Sequence, residues 1–183
     1  MNKIFSVFLL VVLVASITIF INGCEQITPT GSSTGSLKLQ VTDKPDELNI
    51  TEAFVTVSNI QVHKALANES ENATTEESWF TVINETKTFD LVAIQGQKMD
   101  LGTETLGVGR YTQVRLQVID AKIKINGTEY NLTVPSEKIK LIKGFNIEEN
   151  KTTTLTLDFN LNESVIKAGE KYNFKPTIKI IQE

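Results

Sequence analysis

The sequence has very little Cys and His, the residues of thiol, imidazole and zinc chemistry. Its 183 residues include one Cys and one His, which excludes disulfides within the chain, Cys/His zinc sites and thiol–imidazole catalysis. It contains no phosphate-binding loop and no Gly-rich nucleotide fingerprint. The net charge is −4 with both signs interspersed, so no basic field favours nucleic acid. We therefore expect no enzyme activity, no cofactor and no nucleic-acid partner.

Helical periodicity is also scarce, whereas Thr, Val, Ile and Phe are plentiful, which favours an all-β fold. The clearest strand lies in Leu106–Val118, LGVGRYTQVRLQV, where apolar and polar side chains alternate. Its apolar members are Val114, Leu116 and Val118, and its polar members are Gln113, Arg115 and Gln117. A period of two with one apolar face predicts a half-buried strand. The rest of the chain is organised around it.

Similar alternation, separated by turn residues, predicts a sandwich or barrel of about eight to ten strands, and we expect a single antiparallel β-sandwich. We expect the sandwich to span residues 37–183. Ser58-Asn59 interrupts the alternation of the second strand and predicts a β-bulge. Met99–Leu106 is expected to be a short connection, and Asn162–Gly169 a turn or a single helical turn. The remaining strands are expected at 37–42, 79–83, 88–94, 137–142, 154–159 and 172–180.

Asn126-Gly127 is the strongest local signal, because both central residues of a type I′ hairpin turn need positive φ. Once the turn is placed there, the register follows. Ile123 then faces Tyr130, and Lys124 faces Glu129 as an opposite-charge pair. We therefore predict a hairpin over residues 121–134.

The N-terminus has the pattern of an export signal. Lys3 precedes an uncharged, largely apolar run over Ile4–Ile21, which predicts a signal helix. Gly23 directly before Cys24 resembles a prokaryotic lipobox, in which the Cys thiol receives a diacylglycerol group. We expect residues 1–23 to be a lipoprotein signal peptide and Cys24 to be the lipidated residue, whose two acyl chains give stable anchoring. The alternative is an uncleaved anchor helix. Residues 24–36, rich in Gly, Ser and Thr, predict a flexible tether.

The chain carries more N-glycosylation sequons, Asn-X-Ser/Thr, than its composition predicts. The acceptor residues are Asn49, Asn68, Asn72, Asn84, Asn126, Asn131, Asn150 and Asn162. The alternative is that a Thr- and Asn-rich β-protein produces such triplets by composition alone. A lipobox together with many sequons indicates an archaeal cell surface, since bacteria with lipoboxes rarely glycosylate Asn and eukaryotes lack the lipobox.

Several motifs, weak alone, together resemble the DUF4382 family, which occurs in bacterial and archaeal surface lipoproteins. They are VTDKP from Val41, Trp79 followed by FDL from Phe89, LGVGRYTQVRL from Leu106, VPS from Val134, LDF from Leu157 and KP from Lys175. The resemblance covers about Ser36–Ile181. It implies a transthyretin-like or immunoglobulin-like β-sandwich and brings no established activity. The family pattern favours Asp where this chain has Asn160.

Oxygen-rich side chains raise the possibility of a calcium site at one end of the sandwich. Asp158 and Asn160 could combine there with Asp43, Asp46 or Asp90, because calcium takes about six to eight oxygen ligands. No EF-hand spacing is present. The competing interpretation, which we favour, is that these residues cap turns.

Three other residues stand out. We expect His63 to be a surface or edge residue rather than a catalyst. Trp79, at the start of a strand, is expected in the core rather than as an exposed sugar platform. Tyr111 follows the glycines of the organising stretch, where a tyrosine corner would let its phenol oxygen satisfy a backbone group.

We therefore expect a lipid-anchored, N-glycosylated protein on the extracellular face of the cell membrane. It would act as a structural or adhesion-type interaction module that contacts envelope proteins or glycans through its loops or a sheet edge. The alternative is an accessory lipoprotein that binds carbohydrate or calcium. A small hydrolase is the least favoured hypothesis.

Overall fold

The computed structural model describes residues 33–44, 49–65 and 78–183. They form two β-sheets packed face to face, which confirms the predicted β-sandwich. The strands are β1 (Thr34–Asp43), β2 (Ile50–Lys64), β3 (Trp79–Ile83), β4 (Lys87–Asp90), β5 (Met99–Gly107), β6 (Gly109–Ile125), β7 (Thr128–Thr133), β8 (Lys138–Ile147), β9 (Thr152–Phe159), β10 (Val165–Ala168), β11 (Lys171–Phe174) and β12 (Ile178–Gln182). One short helix, α1 (Leu161–Ser164), follows β9.

The smaller sheet has the strand order β12-β9-β1-β5, and the larger has β10-β11-β7-β6-β2-β3, with β4 also paired to β2 and β8 to β6. Two pairings, β1 with β9 and β7 with β11, are parallel, so the sheets are mixed rather than antiparallel throughout. Parallel neighbours need long crossover connections. The alternation within each strand carries no information about such distant pairings.

β6 is the centre of the larger sheet. It pairs with β2 along one side and with β8 and then β7 along the other. Its inward residues Val114, Leu116 and Val118 are buried in the core. At its start the fully buried Tyr111 donates a hydrogen bond from Oη to Gly107 O at 2.9 Å, which confirms the predicted corner contact. Burial raises the pKa of the Tyr111 phenol.

The predicted hairpin is present. Asn126 and Gly127 have φ values of 50° and 81°, and Ile123 pairs with Tyr130 and Lys124 with Glu129. The predicted bulge in β2 is also confirmed, because Val57 faces Val118 while Asn59 faces Gln117, which leaves Ser58 as the extra residue.

Three predicted segments differ from the structure. Residues 172–180, expected to be one strand, are divided between β11 in the larger sheet and β12 in the smaller sheet. Met99–Leu106, expected to be a connection, belongs to β5 and pairs with β1. The pairing shifts register between Leu39 and Gln40, which leaves Leu101 as an extra residue of β5. The buried residues Leu101 and Leu106 therefore do not fit one apolar–polar alternation, and the strand was not recognised in the sequence. Within Asn162–Gly169, the helical turn is followed by an additional strand, β10, which together with β5 raises the strand number above the predicted range.

The predicted signal peptide and its helix, residues 1–23, lie outside the described residues, as does Cys24. Of the predicted tether, only residues 33–36 are described, and Thr34–Ser36 already pair with β5. Within the described residues, no helix has the length and apolar character needed to cross a membrane.

Candidate functional site

The candidate site lies on the outer face of the larger sheet, where β3, β2, β6 and β8 are neighbours. Side chains that alternate with buried Val62, Val114 and Leu116 point away from the core there. The strand register aligns them in three rows across the sheet. We name this surface the amide–cation face, and its members are Asn59, Gln61, His63, Trp79, Thr81, Gln113, Arg115, Gln117, Lys138, Lys140 and Ile142.

Arg115 is held at the centre of the amide–cation face. Its Nε donates a hydrogen bond to Gln61 Oε1 at 2.5 Å, and Gln61 Nε2 donates to Thr81 Oγ1 at 3.1 Å. The guanidinium carbon lies 4.1 Å from the centre of the Trp79 ring, which is a cation–π arrangement. These contacts fix the guanidinium, so less conformational entropy is lost when a ligand binds it.

A groove of about 210 Å³ opens beside Arg115. Its lining residues come from three neighbouring strands and are Asn59, Gln61, Arg115, Leu116, Gln117 and Lys138. Drug-sized ligands occupy sites of roughly 300–1,000 Å³. The groove is smaller and mostly polar in its lining, so it suits one unit of a larger ligand.

Several polar groups of this face have no protein partner among the described residues. Asn59 Oδ1 and Gln113 Oε1 are both buried without a hydrogen bond, and the Gln113 side chain is 7% exposed. Lys138 and Lys140 are exposed, and neither has a carboxylate within ion-pair distance in the described ranges. Buried polar atoms without partners are rare. The two lysines are therefore available to a ligand, whereas the two amide oxygens would reach one only after their side chains rotate.

His63 and Trp79 are not where we expected them. His63 is buried rather than a surface residue, with its ring 5.1 Å from that of Trp79 and Nδ1 3.1 Å from Thr112 Oγ1. Trp79 is half-buried on the outer face rather than in the core. Its ring lies against both His63 and Arg115, so it supports these side chains instead of offering a bare platform.

The proposed calcium ligands are not brought together. Asp43 Oδ1 accepts a hydrogen bond from Leu161 N at 3.1 Å, and Asp90 Oδ1 accepts from Ala53 N at 2.9 Å. Asn160 Oδ1 accepts from Glu163 N at 3.2 Å and caps α1. These are the turn and cap contacts that the competing interpretation predicted.

Asp158 lies apart from these groups. It is on the outer side of the smaller sheet, whereas Asp43 of the neighbouring strand lies with the core residues Leu39 and Val41 on the inner side. The described residues contain no group of three or more His, Cys, Asp or Glu side chains placed to hold a metal ion. Asp46 lies outside them.

All the sequon Asn residues within the described ranges are exposed. They are Asn49, Asn84, Asn126, Asn131, Asn150 and Asn162. In the Asn162 sequon, Ser164 is buried, where its Oγ donates to Asn160 O at 2.6 Å and accepts from Thr177 N at 2.9 Å. The fold therefore needs this hydroxyl whether or not Asn162 is glycosylated. Asn68 and Asn72 fall outside the description.

The sequence indicated only one strand of this site. The alternation in β6 identified Gln113, Arg115 and Gln117 as outward-facing, and the structure places them so. Their partners Gln61 and Trp79 are distant in sequence and become neighbours only through sheet pairing. The sequence signal for the site is the set of polar side chains at alternate positions of β6, because a long strand at the centre of a sheet places them together on one face.

Comparisons with known proteins place the chain in a family but bring no activity. No curated protein matches it. A leucine-rich repeat protein from Bacteroides thetaiotaomicron is 15% identical with a TM-score of 0.20, covering 72% of this chain and 14% of that one. A candidate cell adhesion protein from Bacteroides ovatus is 10% identical with a TM-score of 0.22, covering 81% and 44%.

The chain thus spans less than half the length of either solved protein, and similarity at these TM-scores supports no argument about fold or function. The sequence model described as Domain of unknown function (DUF4382), in contrast, matches residues 34–176, which are most of the chain. The protein therefore belongs to the DUF4382 family.

Proposed function

We propose that the protein is a non-catalytic interaction module of the cell surface that binds its partner through the amide–cation face. The observation that carries this proposal is the charge of that face. It contains Arg115 together with Lys138 and Lys140, and these two lysines have no carboxylate within ion-pair distance among the described residues, although the chain as a whole has a net charge of −4. Glu137 lies at the rim, where its Oε2 accepts a hydrogen bond from Gln117 at 3.4 Å. Such local charge favours an anionic partner.

Ile142 lies on the same face. It is 86% exposed beside Gln113, and the described residues pair with β8 only along its β6 side. A single exposed apolar residue is ordinary on a protein surface, so Ile142 does not mark a binding site by itself. It would give a partner bound at this face an apolar contact.

The non-catalytic part of the proposal follows from how the titratable groups are used. His63 packs against Trp79 and contacts Thr112, and the carboxylates of Asp43 and Asp90 accept backbone hydrogen bonds. Groups with these structural tasks are poorly placed to move protons on a substrate.

The location rests on the sequence. Lys3, the apolar run and Gly23-Cys24 support export and lipidation at Cys24, and exposed sequon residues support glycosylation. If Cys24 carries the lipid, Cys24→Ser will move the protein from the membrane fraction to the soluble fraction. Unchanged membrane retention would contradict lipid anchoring and leave the uncleaved helix as the anchor.

A carbohydrate-binding accessory lipoprotein is the second candidate, and the polar groove beside Arg115 favours it. The calcium-binding form of this candidate finds no support among the described residues, because Asp43, Asp90 and Asn160 are engaged in capping.

Photo-cross-linking on intact cells tests the proposed function. A photoreactive amino acid replaces Ile142 on the amide–cation face, and the matched control replaces Ile181, which is 39% exposed on the outer side of the smaller sheet. We expect a defined set of surface neighbours from position 142 and not from position 181. Equal capture from both positions, or capture only from position 181, would contradict the proposal.

A further inference from the structure

We propose that the groove beside Arg115 binds one sugar unit of an acidic polysaccharide. This inference rests on the proposed function, because it assigns a ligand class to the same face. It goes further by specifying which groups recognise the anion and which recognise the hydroxyls.

The cations are the first requirement for an acidic ligand. Lys138 lines the groove, and Lys140 lies opposite Arg115 on β8. Both lysines are exposed and have no carboxylate partner among residues 33–44, 49–65 and 78–183. An anion bound here would form charge-assisted hydrogen bonds without breaking an existing ion pair.

The amides are the second requirement. Asn59, Gln61 and Gln117 line the groove. Gln61 is bonded to Arg115 and Thr81, and Gln117 to Glu137, but an amide has two N–H donors and two acceptor lone pairs, so each keeps positions that can bond a sugar hydroxyl. The buried Oδ1 of Asn59 has no hydrogen-bond donor in the described structure. A small rotation of this side chain into the groove would let a hydroxyl donate to it. Carboxylates of a peptide would not, because they only accept hydrogen bonds.

The location of the groove also favours a sugar over a peptide strand. An extended peptide adds to a sheet through the backbone groups of an edge strand. The groove instead lies over β6, which is paired on both sides. Its volume of about 210 Å³ suits a single unit of a polymer, and repetition along the polymer would raise the avidity of many weak contacts.

Binding of defined polymers to the purified full chain in neutral detergent tests the inference. The probes are polygalacturonate as acidic glycan, dextran as neutral glycan and polyglutamate as acidic peptide. We expect polygalacturonate to bind and dextran not to bind, with polyglutamate weaker by roughly tenfold or more, since hydroxyl contacts to the amides are missing.

Two double variants of equal charge change sharpen the test. Lys138→Gln with Lys140→Gln is expected to weaken polygalacturonate binding by roughly tenfold or more. Lys171→Gln with Lys175→Gln, both exposed and outside the face, is expected to leave it unchanged. Gln117→Ala is expected to weaken polygalacturonate and not polyglutamate.

The inference would be overturned by any of three results. These are that polygalacturonate fails to bind, that polyglutamate or dextran binds equally well, or that both double variants lose the same amount of polygalacturonate binding. Its failure is distinguishable from that of the proposed function. If polygalacturonate does not bind but position 142 still captures specific neighbours on cells, the face is an interaction surface for another ligand class, of which an acidic peptide is the first to consider.

Discussion

The outer faces of the two sheets contain similar residue types but use them differently. On the smaller sheet, Asp100 accepts a hydrogen bond from Gln40 Nε2 at 2.6 Å and forms an ion pair with Lys38 at 3.1 Å. Glu183 pairs with Lys98 and accepts a hydrogen bond from Thr156 Oγ1 at 3.1 Å. Each of these acids joins two partners within the protein.

On the amide–cation face of the larger sheet, Lys138 and Lys140 have no carboxylate within ion-pair distance among the described residues, and the amide oxygens of Asn59 and Gln113 have no hydrogen-bond donor there. Both faces cover the same core, so folding alone does not require this difference. It indicates that the smaller sheet's outer face is internally satisfied, whereas the amide–cation face is arranged for a partner.

The largest expected effect comes from the core that both faces share. Phe159 on β9 is fully buried and meets Phe89 on β4 edge to face, with ring centroids 5.8 Å apart. Phe159→Ala should lower the free energy of unfolding by about 3–5 kcal/mol. Denaturant unfolding measures this, and Ile181→Ala on the outer surface is the control. A loss no larger than that of the control would mean that the sheets do not pack as described.

The next effect concerns the start of β6, which carries the amide–cation face. Tyr111→Phe removes the hydrogen bond to Gly107 O while keeping the ring stacked on Phe145, whose centroid is 5.3 Å away. We expect a loss of about 1 kcal/mol in unfolding free energy. Stability equal to that of the unaltered chain would show that the corner contact contributes nothing.

Acid should affect the smaller sheet's face. The hydrogen bond from Gln40, followed by Lys38, lowers the pKa of Asp100 from the usual 3.8, and Lys98 followed by Thr156 lowers that of Glu183 from 4.5. Carboxyls with lowered pKa values in the folded protein stabilise it above their usual pKa values, and this contribution disappears as the pH falls through the lowered ones. Unfolding midpoints should therefore decrease as the pH falls below about 4.5.

A paired set of variants isolates this contribution. In the double variant Asp100→Asn with Glu183→Gln, the unfolding midpoint should change less with pH below about 4.5. The control is Glu149→Gln with Glu170→Gln, two exposed residues outside these ion pairs, and it should keep the original pH dependence. If the unfolding midpoint depended on pH in the same way in both double variants, Asp100 and Glu183 would not be the source of the acid sensitivity, and the smaller sheet's face would not be distinguished by its ion pairs.

The smallest effect on stability is expected on the amide–cation face. Lys138→Gln with Lys140→Gln should change the free energy of unfolding by no more than about 0.5 kcal/mol, because neither side chain has a described acidic partner. Thermal unfolding measures this directly. A large destabilisation would show that these lysines serve the fold rather than a ligand.

Local features of the fold were predictable from the sequence because they depend on neighbouring residues. The Asn126-Gly127 turn, the bulge at Ser58 and the corner at Tyr111 each follow from one short motif. The strand β5 was missed because it contains a bulge at Leu101, which changes the phase of its buried residues.

Features that depend on distant pairings were not predictable. The parallel pairing of β1 with β9 joins segments separated by most of the domain. His63, Trp79 and Arg115 meet only because β3, β2 and β6 are adjacent. Alternation in β6 identified the outward residues, but the positions of its neighbours decided which side chains support Arg115.

The contrast between the two outer faces can be tested by nuclear magnetic resonance. The labelled full chain is titrated with polygalacturonate, and the signals of its side-chain amides are followed. We expect the amide signals of Asn59, Gln61 and Gln117 to shift, while that of Gln40, hydrogen-bonded to Asp100 on the other sheet, stays in place. Equal shifts at Gln40, or no shift at the three groove amides, would contradict the assignment of the ligand to the amide–cation face.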